Sequence, residues 1–436
     1  MIKMERKRLN YENKLILAPM VRIGTLPMRL LALDYGADVV YTEELIDWKL
    51  LRSFRRENDV LGTIDYIDKT DGTVTFRTCP KEKDKVVLQI GTCDAARALK
   101  VAKMVEQDVA GIDLNMGCPK LFSLIGKMGA ALLKEPETAT NILKTLVDNL
   151  NIPVTCKIRV LPDIDKTIEL CELLQSTGIA AIAVHGRTVH ERPQHMNRNE
   201  VLKKISNRLS IPVIANGGSK EIQKYSDIFK FKEITGCSSV MLARAAEWNC
   251  SIFSEKGLLP MEDVIKSYLK YAVDCDNSPS NTKYCIQNIL REQQESTLGK
   301  KFLSSQTLEQ ICNLWDLSDY FYLKKKEFEE KGLLGRSQVS PMKEDEKQTQ
   351  EDVILMHCAF LRNNYITDLE LPKTVLHKWT QTQRKKMPNY NTQQKGKLFR
   401  SIVTVDGRKY GSSFREKNKK WAEQGAALVC LFSLGL

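Results

Sequence analysis

The sequence predicts an α/β protein: a TIM (β/α)8 barrel, then a helical domain and a small C-terminal domain of α-β-β-β-α order. Over the first 250 residues, short apolar runs rich in Val and Ile alternate with helical patterns, as is typical of parallel strands buried on both faces. The pattern then becomes helical, and a polar segment precedes a strongly basic end. We predict a barrel over residues 12–250, a helical domain over 251–336, a linker over 337–351 and a last domain over 352–436.

Eight apolar runs define the predicted barrel strands. They cover residues 14–20, 37–45, 85–91, 111–119, 153–160, 181–187, 212–218 and 238–244. Eight β-α units in about 240 residues fit a TIM barrel. A doubly wound sheet is the alternative, but it usually has a glycine-rich turn after its first strand, where this chain reads Ala-Pro-Met-Val-Arg. Residues 62–78 interrupt the alternation, and Asp71-Gly72 predicts a hairpin insertion there.

The positive charge is concentrated in the last domain. The net charge is +12, and residues 372–436 hold 14 Lys and Arg against 3 Asp and Glu. This asymmetry indicates a polyanionic partner, most often nucleic acid, although a solvated basic tail is the alternative on charge alone. Apolar spacing predicts helices at 374–383 and 417–432 and strands at 398–405 and 408–414. Lys417, Lys419 and Lys420 crowd the start of the last helix against its dipole, so an anionic partner is expected there.

Composition excludes several other classes. With 42% hydrophobic and 28% charged residues, the chain is not wholly disordered. Its longest near-uncharged apolar stretch, residues 425–436, is short of the roughly 20 residues that cross a bilayer. The first fifteen residues have no secretory apolar region, and the twelve cysteines include no Cys-x-x-Cys pair. We therefore expect no membrane association, no metal site, and reduced thiols in the cytosol or nucleus without a disulfide-linked partner.

Polar or glycine-rich residues end seven of the eight predicted strands, and in a TIM barrel these ends share the rim that builds the active site. Asn216-Gly217-Gly218 after strand seven and Ala243-Arg244 after strand eight predict a phosphate site, which a mononucleotide cofactor would fit. Lys157 is suited to neutralise a reduced flavin, and Gln89 to pair with the imide edge of the flavin ring. Cys118 has the chemistry of a general acid toward a carbon that becomes nucleophilic after hydride addition.

Eight motifs together resemble the tRNA-dihydrouridine synthases. They are L-A-P-M-V-R (17–22), T-E-E-L (42–45), L-Q-I-G (88–91), D-L-N-M-G-C-P-K (113–120), C-K-I-R (156–159), V-H-G-R (184–187), N-G-G-S (216–219) and M-L-A-R-A (241–245). E-R-P-Q-H (191–195), the helical segment and the last domain resemble the eukaryotic type that modifies D-loop uridine 20. In that type a double-stranded RNA-binding domain follows the barrel. The loop at 124–129 departs from the family, which usually reads Lys-Gly-Gly-Met-Gly there.

The resemblance implies an FMN-dependent reduction of a tRNA D-loop uridine, U20, to 5,6-dihydrouridine, with NADPH as reductant and in the cytoplasm. Hydride passes from N5 of reduced FMN to C6 of the base, and Cys118 protonates C5. The implied FMN-binding residues are Pro19, Met20, Val21, Gln89, Lys157, His185, Asn216, Gly217, Gly218, Ala243 and Arg244. Asn115 and Arg187 are expected to face the uracil. The expected RNA-binding residues are Arg362, Lys373, Lys417, Lys419 and Lys420.

Two other functions remain open from the sequence. Another FMN-dependent TIM-barrel enzyme, such as a pyrimidine reductase or dehydrogenase of small molecules, would explain the barrel and leave the basic domain unused. A non-catalytic RNA-binding protein on a relic barrel would use the basic domain and bind no flavin.

Overall fold

The computed structural model describes residues 9–70, 72–305, 307–331, 352–356, 360, 365, 367–395, 398–416 and 418–436. The strands of these residues are β1 Leu15–Leu17, β2 Val39–Tyr41, β3 Leu45–Ile46, β4 Ser53–Asn58, β5 Thr63–Asp68, β6 Val74–Thr78, β7 Val86–Gly91, β8 Gly111–Met116, β9 Val154–Arg159, β10 Ala181–His185, β11 Val213–Asn216, β12 Ser239–Leu242, β13 Val353–Met356, β14 Asn389–Lys395, β15 Leu398–Val405 and β16 Arg408–Ser412.

The helices of the same residues are α1 Leu26–Tyr35, α2 Asp47–Leu51, α3 Ala95–Val105, α4 Leu121–Ile125, α5 Pro136–Asn149, α6 Ile164–Gln175, α7 Asn199–Arg208, α8 Tyr225–Thr235, α9 Arg244–Trp248, α10 Met261–Asp274, α11 Pro279–Leu290, α12 Thr297–Ser304, α13 Leu308–Leu314, α14 Ser318–Glu330, α15 Pro372–Thr382 and α16 Lys419–Ser433. Short 3-10 helices cover Gly129–Lys134, Cys250–Phe253, Arg291–Glu295 and Asp368–Glu370.

Eight parallel strands close into a barrel, which confirms the predicted fold class. β1 pairs with both β2 and β12, β2 pairs with β7, and the order then runs β7-β8-β9-β10-β11-β12. The pairing of Leu15 with Val240 closes the sheet, so the doubly wound alternative is wrong. All eight predicted apolar runs contain a barrel strand, each trimmed by one to six residues. The strands are continuous apolar runs because helices cover the outer face and side chains fill the interior.

A three-stranded antiparallel sheet is inserted between the second and third barrel strands. Its strands β5 and β6 form the predicted hairpin, whose Asp71 lies outside the described residues. The first strand, β4, was not predicted because its sequence S-F-R-R-E-N is highly charged. Those charges are satisfied by ion pairs, since Arg55 lies 2.7 Å from Asp108 and Arg56 lies 3.7 Å from Asp65. The sequence pattern of a strand is therefore obscured where ion pairs, rather than apolar contacts, anchor it.

Helices α10 to α14 follow the barrel, as expected, and the predicted linker at 337–351 lies outside the described residues. In the last domain, β14, β15 and β16 form an antiparallel sheet flanked in sequence by α15 and α16. An unpredicted fourth strand, β13, pairs in parallel with β16. The last helix begins at Lys419 because the Asn418 side chain caps it, accepting a bond from the Trp421 N–H at 2.9 Å. It buries Ala422, Ala426 and Cys430, while Phe432 is 54% exposed.

Candidate active site

The loop after β1 meets the end of β12 on the carboxyl rim of the barrel. The Ala18 N–H donates to the Leu242 carbonyl at 2.9 Å, and the Met20 carbonyl accepts from the Gly24 N–H at 2.8 Å. Pro19 and Met20 are half-buried, and Val21 is 43% exposed at the rim. This loop therefore lies next to Ala243, as expected for two strand ends on the same rim of the barrel.

A cavity opens between the ends of β10, β11 and β12 and encloses about 450 Å³ including its mouth. Seven of the residues predicted for the site line it together. They are His185, Arg187, Asn216, Gly217, Gly218, Ala243 and Arg244. Asn216 fixes the floor, since its amide Nδ2 donates to the Met241 carbonyl at 2.8 Å and joins β11 to β12.

The wall of this cavity has no room for a side chain at Gly217. Its φ of +114° lies in the region that favours glycine, and a Cβ atom there would lie 2.1 Å from Oδ1 of Asn197 and 2.8 Å from the His185 ring. Oδ1 of Asn197 is buried and has no hydrogen-bond partner among the described residues. The rim therefore packs closely behind Gly217, whose backbone lines the cavity.

Positive charge is crowded at this end of the barrel. Burial lowers the pKa of His185 well below its usual value, and Lys157, Arg159, Arg187 and Arg244 lower it further. Burial also lowers the pKa of Arg187, and nearby Arg244 adds to that effect although Glu221 opposes it. Because these cations repel one another, a bound anion would stabilise the site.

Lys157 lies at the end of β9, half-buried in the barrel mouth. Burial and the neighbouring Arg159 lower its pKa to about 8, while Asp113 and Cys118 oppose that shift. Asp113 is fully buried, and its burial raises the pKa to about 6 although Thr155, Gln89 and Lys157 lower it. The mouth thus holds a lysine that loses its proton more readily than a free lysine, and a buried carboxyl group that is harder to ionise than a free one.

Gln89 belongs to a chain of hydrogen bonds that runs from the barrel interior to Cys118. Its Nε2 donates to Asp113 at 2.8 Å, and its Oε1 accepts from Nδ2 of Asn115 at 3.1 Å. Oδ1 of Asn115 accepts from the backbone N–H groups of Gly117 and Cys118 at 2.9 and 3.0 Å. Asn115, predicted to face the uracil, therefore shapes the turn that carries the cysteine.

Cys118 is half-buried at the start of the loop after β8. Its sulfur accepts a hydrogen bond from the Ser123 hydroxyl at 3.2 Å. Burial raises the pKa of the thiol, and the adjacent Glu44 carboxylate raises it further. The group is therefore an acid rather than a resting thiolate. Just beyond it, α4 exposes 72% of Leu121 and 73% of Ile125, and Ile125 belongs to the loop 124–129 that departs from the family pattern.

Several residues near the cysteine were not predicted. Arg159 Nε donates to the Gly117 carbonyl at 2.9 Å and Nη1 donates to the Thr188 carbonyl at 3.1 Å, so it joins two rim loops. Its position two residues after Lys157 places both on one side of a strand, which was a usable sequence signal. Glu44 and Ser123 carried no such signal. Arg187, expected to face the uracil, bonds the Gly217 carbonyl at 2.7 Å in the cavity wall.

The last domain presents lysines at its final helix. Lys419 is 70% exposed and Lys420 is exposed. Lys373 pairs with Glu423 and lies 4.6 Å from the centre of the Tyr390 ring. Arg362 and Lys417, also predicted to bind RNA, lie outside the described residues.

The structure also bears on the expectations about membrane spans, metal sites and disulfides. Over the described ranges, no helix is long and apolar enough to span a membrane. Within the part of the chain that the structure describes, no group of three His, Cys, Asp or Glu side chains is arranged to hold a metal. The eleven cysteines described are all free thiols.

The chain matches two known sequence families. Residues 16–292 match the dihydrouridine synthase (Dus) family, and residues 372–434 match the double-stranded RNA binding motif. Over 319 residues the chain is 38% identical to the tRNA-dihydrouridine(20) synthase (NAD(P)+) of Schizosaccharomyces pombe, covering 71% of this chain and 66% of that protein. Over 305 residues it is 37% identical to the enzyme of the same name from Saccharomyces cerevisiae, covering 64% and 78% of the two chains.

A human relative is more distant. It is the tRNA-dihydrouridine(20a/20b) synthase (NAD(P)+)-like protein, 30% identical over 242 residues that cover 55% of this chain and 70% of that protein. The Dus match covers more than half of the sequence and all eight barrel strands except the first residue of β1. The chain is therefore a member of the dihydrouridine synthase family, an oxidoreductase whose C-terminal domain is a double-stranded RNA-binding fold.

Proposed function

We propose that the protein reduces uridine 20 in the D-loop of tRNA to 5,6-dihydrouridine, with FMN as cofactor and NADPH as reductant. The observation that carries the proposal is one barrel rim that holds both a protonated thiol, Cys118, and a cation-rich glycine cavity around Gly217. The names of the two yeast relatives supply the uridine position and the NAD(P)+ dependence. Its free thiols and its tRNA substrate support a cytoplasmic location.

The residues of the cavity fit a flavin mononucleotide. The glycine cradle at Gly217 and Gly218, with Arg244 beside it, would hold a terminal phosphate, and His185 and Arg187 would complete that site. Pro19, Met20, Val21 and Ala243 would line the isoalloxazine side of the rim. Gln89 and Lys157 would face its polar edge. When bound and reduced, the flavin supplies the hydride that adds to C6 of the uracil.

Cys118 completes the reduction by proton transfer. Addition of hydride at C6 leaves negative charge shared between C5 and the C4 carbonyl, because the double bond is conjugated to that carbonyl. The S–H bond of Cys118 then breaks as the C5–H bond forms. The resulting thiolate accepts hydrogen bonds from the Ser123 hydroxyl and the Lys120 backbone N–H, which stabilise its charge. Asn115 holds the turn in place throughout.

The C-terminal domain would bind the folded tRNA through its duplex arms. Double-stranded RNA is recognised through its shape, its phosphates and its 2′-hydroxyl groups. The exposed Lys419 and Lys420 suit phosphates, and Arg362, Lys373 and Lys417 are proposed to add to them. Binding energy from this domain offsets the few kcal/mol that unstacking the target base costs.

The test compares Cys118→Ala with Cys79→Ala, which changes another half-buried thiol away from the site. We expect both variants to retain the visible spectrum of bound flavin. Only Cys118→Ala should lose dihydrouridine formation in tRNA, by about 100-fold or more as expected for loss of a general acid. Full turnover by Cys118→Ala would refute the proposed acid. Strong turnover of free pyrimidines without RNA would favour the small-molecule enzyme, and purified protein without a flavin spectrum would favour the relic barrel.

A further inference from the structure

A half-buried carboxylate, Glu44, lies near the proposed catalytic thiol and has no part in the chemistry described so far. It follows β2 on the carboxyl rim and is largely shielded from solvent. One oxygen, Oε1, is buried without a hydrogen-bond partner among the described residues, and the carboxylate lies near enough to Cys118 for the two groups to interact electrostatically. A buried carboxylate oxygen without a hydrogen bond is costly, so a role beyond packing is expected.

Gly91 makes this contact between separate strands geometrically feasible. Glu44 comes from the loop after β2, whereas Cys118 comes after β8, and the end of β7 lies between those two strands. A Cβ atom at Gly91 would lie 2.7 Å from Oε1 of Glu44 and 3.2 Å from its Cγ. Because Gly91 has no side chain, the Glu44 side chain can occupy the space at the end of β7, between the loops after β2 and β8.

The charges around the pair favour one shared proton. Burial raises the pKa of Glu44, although the neighbouring Cys118 thiol and the charge of Lys120 oppose that shift. The thiol is faced by the Glu44 carboxylate and the Ser123 hydroxyl, and Lys157 and Arg159 also lie within electrostatic range of it. Once the sulfur has lost its proton, two adjacent negative charges repel each other, and a proton on Glu44 removes that repulsion.

We infer that Glu44 acts through Cys118: its carboxylate keeps the proton on the thiol between turnovers and returns a proton to the sulfur after each donation. The inference rests on the proposed function, in which Cys118 protonates C5. In each cycle the S–H bond breaks as C5–H forms. A proton taken from solvent by the Glu44 carboxylate then moves to the sulfur, and the carboxylate is regenerated. The relay moves only protons, so it needs no oxidant or reductant of its own.

The first test measures the thiol without tRNA or turnover. Alkylation of Cys118 by iodoacetamide requires the thiolate, so its rate as a function of pH reports the pKa of that thiol, read from the Cys118 peptide by mass spectrometry. Glu44→Gln keeps the size of the side chain and removes its charge. We expect the alkylation midpoint to fall by about one pH unit or more. Glu44→Asp should restore part of the shift, and Glu233→Gln, an exposed acid on α8, should leave the midpoint unchanged.

Gly91→Ala provides a second variant that displaces the carboxylate without removing it, and it should lower the midpoint in the same direction. With tRNA, the alkaline limb of the activity of Glu44→Gln should move to lower pH, because the acid form of the thiol is lost earlier. An unchanged alkylation midpoint in Glu44→Gln would overturn the relay and leave the Cys118→Ala test of the proposed function intact. A shifted midpoint together with a fully active Cys118→Ala variant would instead overturn the proposed acid, and the relay with it.

Discussion

The Nη1 atom of Arg187 lies 3.2 Å from the Nε2 atom of His185, and this contact fixes the protonation state of the imidazole. An arginine only donates hydrogen bonds, so Nε2 accepts and carries no proton. The same guanidinium donates to the Gly217 carbonyl at 2.7 Å. One side chain thus joins the ends of β10 and β11, and the cavity is lined by a neutral His185 whose proton is on Nδ1.

The charge of Lys157 should lower the free energy of unfolding of the flavin-free protein. Its folded pKa of about 8 lies below that of an unfolded lysine, so the unfolded chain binds its proton more tightly. The resulting destabilisation is fully present below about pH 8 and disappears as the pH rises toward about 10.4, the unfolded value. Lys157→Met should therefore raise the free energy of unfolding at pH 7 by about 1–2 kcal/mol, with a smaller gain at pH 9.5.

Urea unfolding of flavin-free wild type and variant at both pH values measures this difference. The variant should also lose affinity for FMN, because the cation proposed to face the polar edge of the ring is gone. A Lys157→Met protein that is less stable than wild type at pH 7 would contradict the proposed cost of the buried charge.

Gly217→Ala should abolish flavin binding because a Cβ atom would not fit there. Gly257→Ala is the control, since it introduces the same backbone strain without a steric clash. A Cβ atom at Gly217 would overlap Oδ1 of Asn197, whereas at Gly257, with a φ of +92°, it would meet nothing within 4 Å. We expect Gly257→Ala to cost about 1–2 kcal/mol of stability from its left-handed conformation alone and to keep its flavin. Absorbance of the purified proteins measures flavin content, and equal retention by the two variants would contradict the cradle.

The barrel could be predicted because its strands are locally apolar and the candidate site residues lie at the ends of those strands. Cys118, Lys157 and Asn216 were found from strand ends alone, since parallel strands in a closed barrel must bring those ends to one rim. Their detailed contacts could not be predicted. The environment of Glu44 depends on a missing side chain at Gly91, which lies 47 residues later in the sequence.

Strands anchored by distant partners were also missed. β13 is four residues long and pairs with β16, more than fifty residues further along the chain, so nothing in its own sequence specifies the partner. The family resemblance implies that Arg187 faces the uracil. Its direction is set by the Gly217 carbonyl, which only the folded rim brings within reach. Contact with the uracil stays a prediction.

The buried ion pair of Arg29 and Glu82 should dominate the stability of the loop after β1. Both side chains are at most 2% exposed and bond through two contacts of 2.8 and 2.6 Å, and Arg29 also donates to the Gly24 carbonyl at 2.6 Å. Arg29→Met leaves a buried carboxylate unpaired and should cost about 3–5 kcal/mol in urea unfolding. Lys144→Met, which breaks an exposed pair with Asp148, should cost less than about 1 kcal/mol. Similar losses in the two variants would show that Arg29 is not the anchor of this loop.

The lysines at the start of α16 should set the salt dependence of tRNA binding. Each lysine that contacts a phosphate releases a counterion, so losing it reduces the slope of log affinity against log salt by about 1. Lys419→Glu combined with Lys420→Glu should therefore weaken binding and flatten that slope by about 2. The matched variant Lys85→Glu with Lys100→Glu has the same charge change at exposed barrel positions, and Lys85 lies at the amino end of β7, away from the active rim. Binding measured at several salt concentrations would refute the role of this helix if the two double variants gave the same slope, because net charge alone would then account for the effect.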